Sequence, residues 1–432
     1  MKLDPSATTT QAQEHESLLG QLRLLLEEVC CDLCRFEHVS RHGCSPESVQ
    51  IDREFYLGTP GAFADIRVVP PGQQAYFVEV KYGYSFDTLL RHLRRKYGPE
   101  TSGSTLGSKI ILVIDSEDHR GRAPSVGEFA RNVHPGLELE VWDEQHLLSL
   151  IRERFGTDLP AITAESLVDV RQVIDAAKGF HAFGGESIEQ YEHDPLKAQL
   201  LWHFGFWRLR QLRARGRRTP REILPPETYR RAAVLIADLC SFSSYVRDTP
   251  NSDILRESLT AFCSKARYQI INNGGMLYQF VGDQVVGIFG IPEADDTYVP
   301  RAVATAQALV AIGESVSNHW QRRIDRVQTS GGLHVGIAIG DLQIVSLRPF
   351  SRTHMGAIGD CINVAARLME SVGQSEIAVS NSFYQQLSEE DQAIFLEAEP
   401  IEAKNVGRIR SWRLPRDTTL RPWQNGQDAY PL

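Results

Sequence analysis

Apolar positions along the chain of 432 residues repeat with two periods, and the switches between them outline three regions. From Glu16 to Cys34 the spacing is helical, with an apolar face running from Leu18 to Leu33. Short strands follow around Phe55, over Asp65 to Val69 and over Ala75 to Val80. A basic helix is expected from Asp87 to Tyr97, then a very apolar strand from Lys109 to Asp115, a strand from Leu137 to Trp142 and a helix from Glu144 to Phe155. Strands alternating with helices imply a sheet covered by helices, so residues 1–164 read as an α/β domain whose first 15 or so polar residues are disordered. Residues 165–229 read as a helical connector. It holds a Phe183-Gly184-Gly185 loop signal, an amphipathic stretch from Pro195 to Arg218 with a strongly basic end, and a closing Leu224-Pro225-Pro226-Glu227.

The third region, 230–415, begins with a strand over Ala232 to Ala237 and a helix over Ser252 to Asn272. A hairpin follows, Met276 to Val281 and Gln284 to Phe289, joined by Gly282-Asp283. A helix from Val299 to Asn318 and a strand from Leu333 to Ile339 complete a βαββαβ order, which is ferredoxin-like. Residues 416–432 are a tail.

Composition narrows the class. With 42% hydrophobic and 23% charged residues the chain has enough apolar material for sizeable cores. A net charge of −9 argues against a protein that coats nucleic acid. No apolar run approaches the roughly 20 residues of a membrane helix, and the start Met1-Lys2-Leu3-Asp4-Pro5 lacks a signal-peptide core, so a cytoplasmic protein without membrane contact is expected. Seven irregularly spaced cysteines do not form a disulfide framework. Cys30, Cys31, Cys34 and Cys44, near His38 and His42, are read as buried small hydrophobes on a helix rather than as a zinc site.

The chemistry lies in the third region. Asp238 closes the apolar run that starts at Ala232, and Asp283 sits in the hairpin turn. Carboxylates at strand ends suit a two-metal phosphoryl-transfer site. Asn363 and Arg367 are one helical turn apart in Gly359-Asp360-Cys361-Ile362-Asn363-Val364-Ala365-Ala366-Arg367 and therefore share a helix face. Any one of these elements alone is usually a turn or a helix surface; their joint order is the informative signal. From Arg230 to Leu414 this combination resembles the class III nucleotidyl cyclase catalytic domain. The resemblance implies that Asp238, Asp283 and the backbone carbonyl of Leu239 hold two divalent metal ions, Mn2+ or Mg2+. It implies that backbone amides around Ser241, Phe242 and Ser243 cradle the β- and γ-phosphates, where the family usually has Gly at the position of Ser241. It further implies that Asn363 orients the ribose, that Arg367 stabilises charge on phosphorus, and that Lys404 binds phosphate, although Asn405 stands where the family usually has Gly. Metal aspartates and the Asn/Arg/Lys set come from different subunits in the family, so a homodimer with composite sites is implied.

The family reads a purine at two positions. Four residues before the second aspartate, adenylate cyclases usually carry Lys and guanylate cyclases Glu; here the residue is Gln279. Seven residues before the Asn, adenylate cyclases usually carry Asp or Thr and guanylate cyclases Cys; here it is Gly356. A neutral amide suits the alternating acceptor and donor edge of uracil, and Tyr278 adds bulk beside it. The pattern resembles the pyrimidine cyclases of bacterial Pycsar anti-phage systems, which implies UTP as substrate, cyclic UMP as product and a separate cyclic-nucleotide-responsive effector. A cytidylate cyclase and a divergent adenylate cyclase that reads its base through backbone atoms remain alternatives.

In the first region Asp65 followed by Glu79-Val80-Lys81 resembles the PD-(D/E)xK nuclease fold, with Ala64 where that family has Pro. The resemblance implies Mg2+ at Asp65 and Glu79 and a water positioned by Lys81. A degenerate motif of this kind is read as an inactive or regulatory nuclease-like domain, against the plainer reading of a surface charge pair. The non-enzymatic alternative is a nucleic-acid processing protein whose cyclase-like part only dimerises it.

Overall fold

The computed structural model describes residues 5–58, 61–97, 109–115, 138–182, 195–217, 219–249, 251–324, 328, 331–347, 354–403 and 407–415. The chain forms two compact units that divide after Tyr191.

In the first unit, α1 (Pro5–His42) precedes β1 (Gln50–Tyr56), β2 (Phe63–Val69), β3 (Tyr76–Val80), α2 (Phe86–Tyr97), β4 (Lys109–Val113), β5 (Glu138–Trp142), α3 (Glu144–Phe155) and α4 (Ala164–Ala182). The sheet runs in the order β1-β2-β3-β4-β5, antiparallel as far as β3 and parallel from β3 to β5. One face, with Ile66, Val68, Val78, Ile111 and Val113, packs against Leu26, Val29 and Leu33 of α1, Leu147 and Ile151 of α3, and Leu167 and Val170 of α4. The other face, with Ala64, Phe77, Ile110 and Leu112, packs against Leu89, Leu93 and Tyr97 of α2. Burial on both faces explains why β4 reads as an unbroken apolar run. Cys30 and Cys34 belong to the buried face of α1.

Two boundaries differ from the expectation. The first helix already begins at Pro5, because Ala, Gln and Glu between residues 7 and 16 are sound helix formers and Pro is tolerated in a first turn. The N-terminal unit does not stop at 164: α4 supplies Leu167, Val170 and Ile174 to its core, so the start of the supposed connector is part of that unit.

The second unit opens with α5 (Pro195–Phe204) and α6 (Phe206–Ala214), where one continuous amphipathic stretch was expected. Gly205, at φ 71°, breaks the helix in two. Then come β6 (Thr228–Leu239), α7 (Phe242–Asp248), α8 (Ser252–Asn272), β7 (Met276–Val281), β8 (Gln284–Phe289), α9 (Tyr298–Ile324), β9 (Leu333–Leu347), β10 (His354–Ile358), α10 (Asp360–Glu370), β11 (Ile377–Ser380) and four short strands, β12 to β15, ending at Leu414. The sheet core has the order β9-β6-β8-β7, the ferredoxin-like arrangement of β6-α8-β7-β8-α9-β9. Beyond it β11 adds parallel to β9, and β10 folds back antiparallel on the far half of β9. No helix among the described residues is long and apolar enough to cross a membrane.

Candidate active site

Strand order brings the two aspartates of the second unit together. Asp238 is the penultimate residue of β6, whose neighbour β8 starts directly after the hairpin turn that carries Asp283. Gly282 takes φ 66° in that turn, a value a side chain resists. The two carboxyl groups share a hydrogen bond, and both are pushed up from the usual carboxylate range. Burial is the largest cause for each; the Asp238 charge adds to it at Asp283, which reaches about 7. Such a pair holds one proton between two oxygen-rich groups. His334, directly across from Asp238 on β9, works in the opposite direction on that carboxyl, and nothing in the local sequence singles it out. Two hard oxygen donors short of positive charge fit a divalent cation of the Mg2+ or Mn2+ type.

Immediately after Asp238, Leu239 is buried, and Ser241 turns the chain at φ 59° into α7. A residue with a Cβ in this region costs roughly 1 kcal/mol, which accounts for a Gly being the commoner choice there. The first helical amides to close on Ser241 are those of Ser244 and Tyr245, so Phe242 and Ser243 form the open first turn.

Asn363 and Arg367 lie on the exposed side of α10, while Cys361, Ala365, Leu368 and Met369 face inward. Gly336 makes that seating possible: a Cβ there would stand 2.1 Å from the Ala365 carbonyl oxygen of the helix. Arg367 pairs with Glu370 through Nη1 at 2.6 Å. Among the described residues no hydrogen bond or ion pair joins Asn363 or Arg367 to Asp238 or Asp283 within one chain. Lys404 lies outside the described residues, between the paired strands Ile401–Ala403 and Gly407–Ile409.

Gln279 is exposed on β7 and follows a bulge that leaves Tyr278 without a register partner. Gly356 is buried on β10 opposite Val345, and a Cβ on it would stand 3.0 Å from Leu347 Cδ1. The Tyr278 hydroxyl accepts a hydrogen bond from the Ala357 amide at 3.1 Å, and its ring stacks at 11° on His203 of α5. Tyr278 therefore ties β7 to β10. Gln199 and His203, which reach these strands from α5, carried no local signal because their partners lie 74 or more residues away.

In the first unit the structure gathers Asp65, Glu79 and Lys81 and adds two residues from α2. Asp65 pairs with Lys81 and, at 2.9 Å, with Lys96; it also accepts from the Val80 amide. Glu79, at 0% exposure, takes Lys96 at 2.6 Å, Lys81 at 2.8 Å and the Tyr97 hydroxyl at 2.5 Å. Asp65 is mostly buried, yet the two ammonium groups hold its carboxyl well below the usual range. Lys96 thus bridges the two carboxylates where an implied Mg2+ would have to lie. The residues present do not fit a metal at this place, and no step is derived through one. The plainer reading of an exposed surface pair also fails, because Glu79 and Lys81 are buried.

Comparison with known proteins agrees with the second unit. Residues 224–415 match the family model described as the adenylate and guanylate cyclase catalytic domain. An uncharacterised protein of Mycobacterium tuberculosis and one of Mycobacterium bovis are each 26% identical over 141 residues, 33% of this chain, and the match spans only 24% of their own length. Among solved structures, the adenylyl cyclase CyaB from P. aeruginosa is 20% identical, covering 44% of this chain and 96% of that one, with a TM-score of 0.38. The guanylate cyclase domain of RhGC from Catenaria anguillulae, solved with GTP, is 18% identical, covering 44% and 98%, with a TM-score of 0.34. Over residues 224–415 the chain is thus similar to a catalytic domain of the adenylate and guanylate cyclase type.

Proposed function

We propose that the protein is a pyrimidine nucleotide cyclase converting UTP to 3′,5′-cyclic UMP and pyrophosphate. The ribose 3′-oxygen attacks the α-phosphorus, the bond from that phosphorus to the β-phosphate oxygen breaks, and the 3′-hydroxyl proton leaves. Asp238, Asp283 and the Leu239 carbonyl hold two divalent ions, Mn2+ or Mg2+, which supply charge neutralisation and a lowered hydroxyl pKa when bound. Backbone amides of the open turn at Ser241, Phe242 and Ser243 take the outer phosphates. Asn363 orients the ribose, Arg367 exchanges Glu370 for charge developing on the phosphorus, and Lys404 binds phosphate. A homodimer whose partner completes each site agrees with the lack, among the described residues, of a bond from Asn363 or Arg367 to the aspartates of its own chain.

One observation carries the base assignment: neither purine-reading residue stands in its place. Gln279 is a neutral amide, and Gly356 offers no side chain, with Leu347 Cδ1 3.0 Å from where a Cβ would stand. Cyclic UMP made in the cytoplasm would serve as a second messenger in anti-phage defence, acting on a separate effector. The N-terminal unit is then a regulatory, nuclease-like module, a reading supported by the lysine-filled carboxylate cluster.

Incubation with each of the four NTPs and Mn2+, with products identified by mass spectrometry, tests the assignment. Cyclic UMP should dominate. Faster turnover of ATP or GTP than of both pyrimidines under matched conditions overturns it, and faster turnover of CTP than UTP moves it to cyclic CMP.

A further inference from the structure

We infer that α5, a helix outside the matched catalytic domain, sets the geometry of the base pocket through Gln199 and His203, which act as positioning residues. The inference rests on the reading of Gln279 and Gly356 as base-facing positions. Those two positions belong to β7 and β10, strands that are not neighbours in the sheet: among the described residues β7 is at one edge, and β10 pairs with β9 alone. The sheet therefore links them only through three intervening strands, with no direct pairing between the two. α5 links them from outside. Gln199 Oε1 accepts from the Met355 amide at 2.9 Å, one residue before Gly356. His203 Nδ1 bonds the Leu277 carbonyl at 2.7 Å, two residues before Gln279. The His203 ring, at 4% exposure, lies parallel to Tyr278, whose hydroxyl reaches across to the Ala357 amide. Trp202 adds an edge contact to Phe280 on the other side of Gln279. The helix itself is anchored by buried Leu200 and Phe204 and by Arg267, which donates to the Leu201 carbonyl.

These contacts flank both base-facing positions, and none of them is made to Asp238, Asp283 or Ser241 to Ser243 themselves. A loosened clamp should thus change how well the base is held and leave the chemical step in place. Displacements of about 1 Å are enough to weaken a hydrogen-bonded pocket strongly.

Gln199→Ala and His203→Phe test the inference; the second keeps a ring on Tyr278 and removes the bond to Leu277. Each should raise KM for the preferred nucleotide about 3- to 10-fold with kcat within about twofold, and should shrink its preference over the other NTPs, the signature of lost uniform binding. A uniform fall in kcat for all NTPs with selectivity unchanged would mark a merely structural helix and overturn the proposal. Hydrogen exchange without nucleotide gives a second reading that needs no activity. The Met355 amide should exchange faster in Gln199→Ala, and protection across 355–357 should fall in His203→Phe. Unchanged protection in both folded variants sinks the clamp even if cyclase activity is present. Absence of product from every NTP in the wild type, with the protection changes as expected, would instead refute the proposed reaction and leave the clamp standing.

Discussion

Two pairs of acids in this chain look alike in the sequence and behave in opposite ways in the fold. Asp238 and Asp283 meet with no ammonium or guanidinium between them, so each makes the other harder to ionise and Asp283 is pushed up to about 7. Asp65 and Glu79 meet around the ammonium groups of Lys81 and Lys96, and Asp65 is held well below its ordinary value despite its burial. The first pair is short of positive charge and would gain by taking a divalent ion, as the proposed function requires. The second already contains its cations and a Tyr97 hydroxyl, and gains nothing until one of them leaves. A carboxylate motif is thus a candidate metal site only once the cations that fold back on it are counted.

The largest expected contrast is catalytic. Asp238→Ala or Asp283→Ala should lower cyclic nucleotide formation by at least about 10³-fold, the scale of losing one charge-stabilising group in phosphoryl transfer. Asp65→Asn should leave turnover within about twofold where circular dichroism shows the variant folded, because the clusters share no residue. Substantial activity in either cyclase variant removes the two-metal assignment; a collapse in Asp65→Asn ties the N-terminal cluster to the chemistry.

Next comes completeness. The N-terminal cluster is satisfied within one chain, whereas in the proposed site Asp238 and Asp283 depend on an Asn363 and an Arg367 that, among the described residues, make no bond to them. Mixing inactive Asp283→Ala with inactive Arg367→Ala should restore up to roughly a quarter of wild-type turnover, since half of randomly mixed dimers hold one intact site of two. Subunit exchange verified by mass spectrometry, with no activity regained, would mean that the site is not shared.

Much of this contrast was legible in the sequence, and the illegible part has a common cause. Asp238, the Gly282-Asp283 turn and the Asn363/Arg367 spacing each depend on a few adjacent residues, so periodicity and turn chemistry reveal them. Lys96 and Tyr97 are ordinary members of a basic helix until α2 packs across the sheet and delivers them to Glu79, 17 and 18 residues earlier. Gln199 and His203 are likewise defined by strands far along the chain. The helix break at Gly205 was signalled by a lone Gly, which sequence alone does not separate from a tolerated interior Gly. The domain boundary was misplaced because α4 has apolar positions that serve a core as well as a linker.

Lys96→Met sharpens the contrast through stability. Removing one cation leaves Asp65 and Glu79 sharing Lys81 alone, and breaking a buried pair in this way costs about 3–5 kcal/mol. The unfolding free energy of the first unit, read from denaturant titration, should fall by about that amount, with a lower midpoint. Millimolar Mg2+ or Mn2+ should recover part of the loss in this variant and nothing in the wild type. Metal stabilisation of the wild-type first unit would mean that Lys96 yields its place to an ion.

The smallest effect is a difference in the sign of a pH slope, measured without metal. A carboxyl whose folded value lies above its unfolded one binds more protons when folded, so its contribution to stability is full below the unfolded value and is lost as pH rises toward the folded one. For Asp283 that window runs from the ordinary carboxylate range up to about 7. Asp65 has the opposite sign: its contribution is present above the ordinary range and is lost only as pH falls below it. Hydrogen exchange read separately on peptides of β6 to β8 and of β2 to β3 should therefore show the cyclase strands losing protection between pH 4 and 7 while the N-terminal strands hold theirs. Because Asp238 and Asp283 are only about half buried, solvent screening keeps the first change within about 1 kcal/mol. Asp283→Asn, which cannot ionise, should flatten that slope, and saturating Mn2+ should reverse it, since a bound ion favours the ionised pair. Parallel slopes in the two units, or a slope that survives Asp283→Asn, would show that the two acid pairs do not differ in the charge they lack.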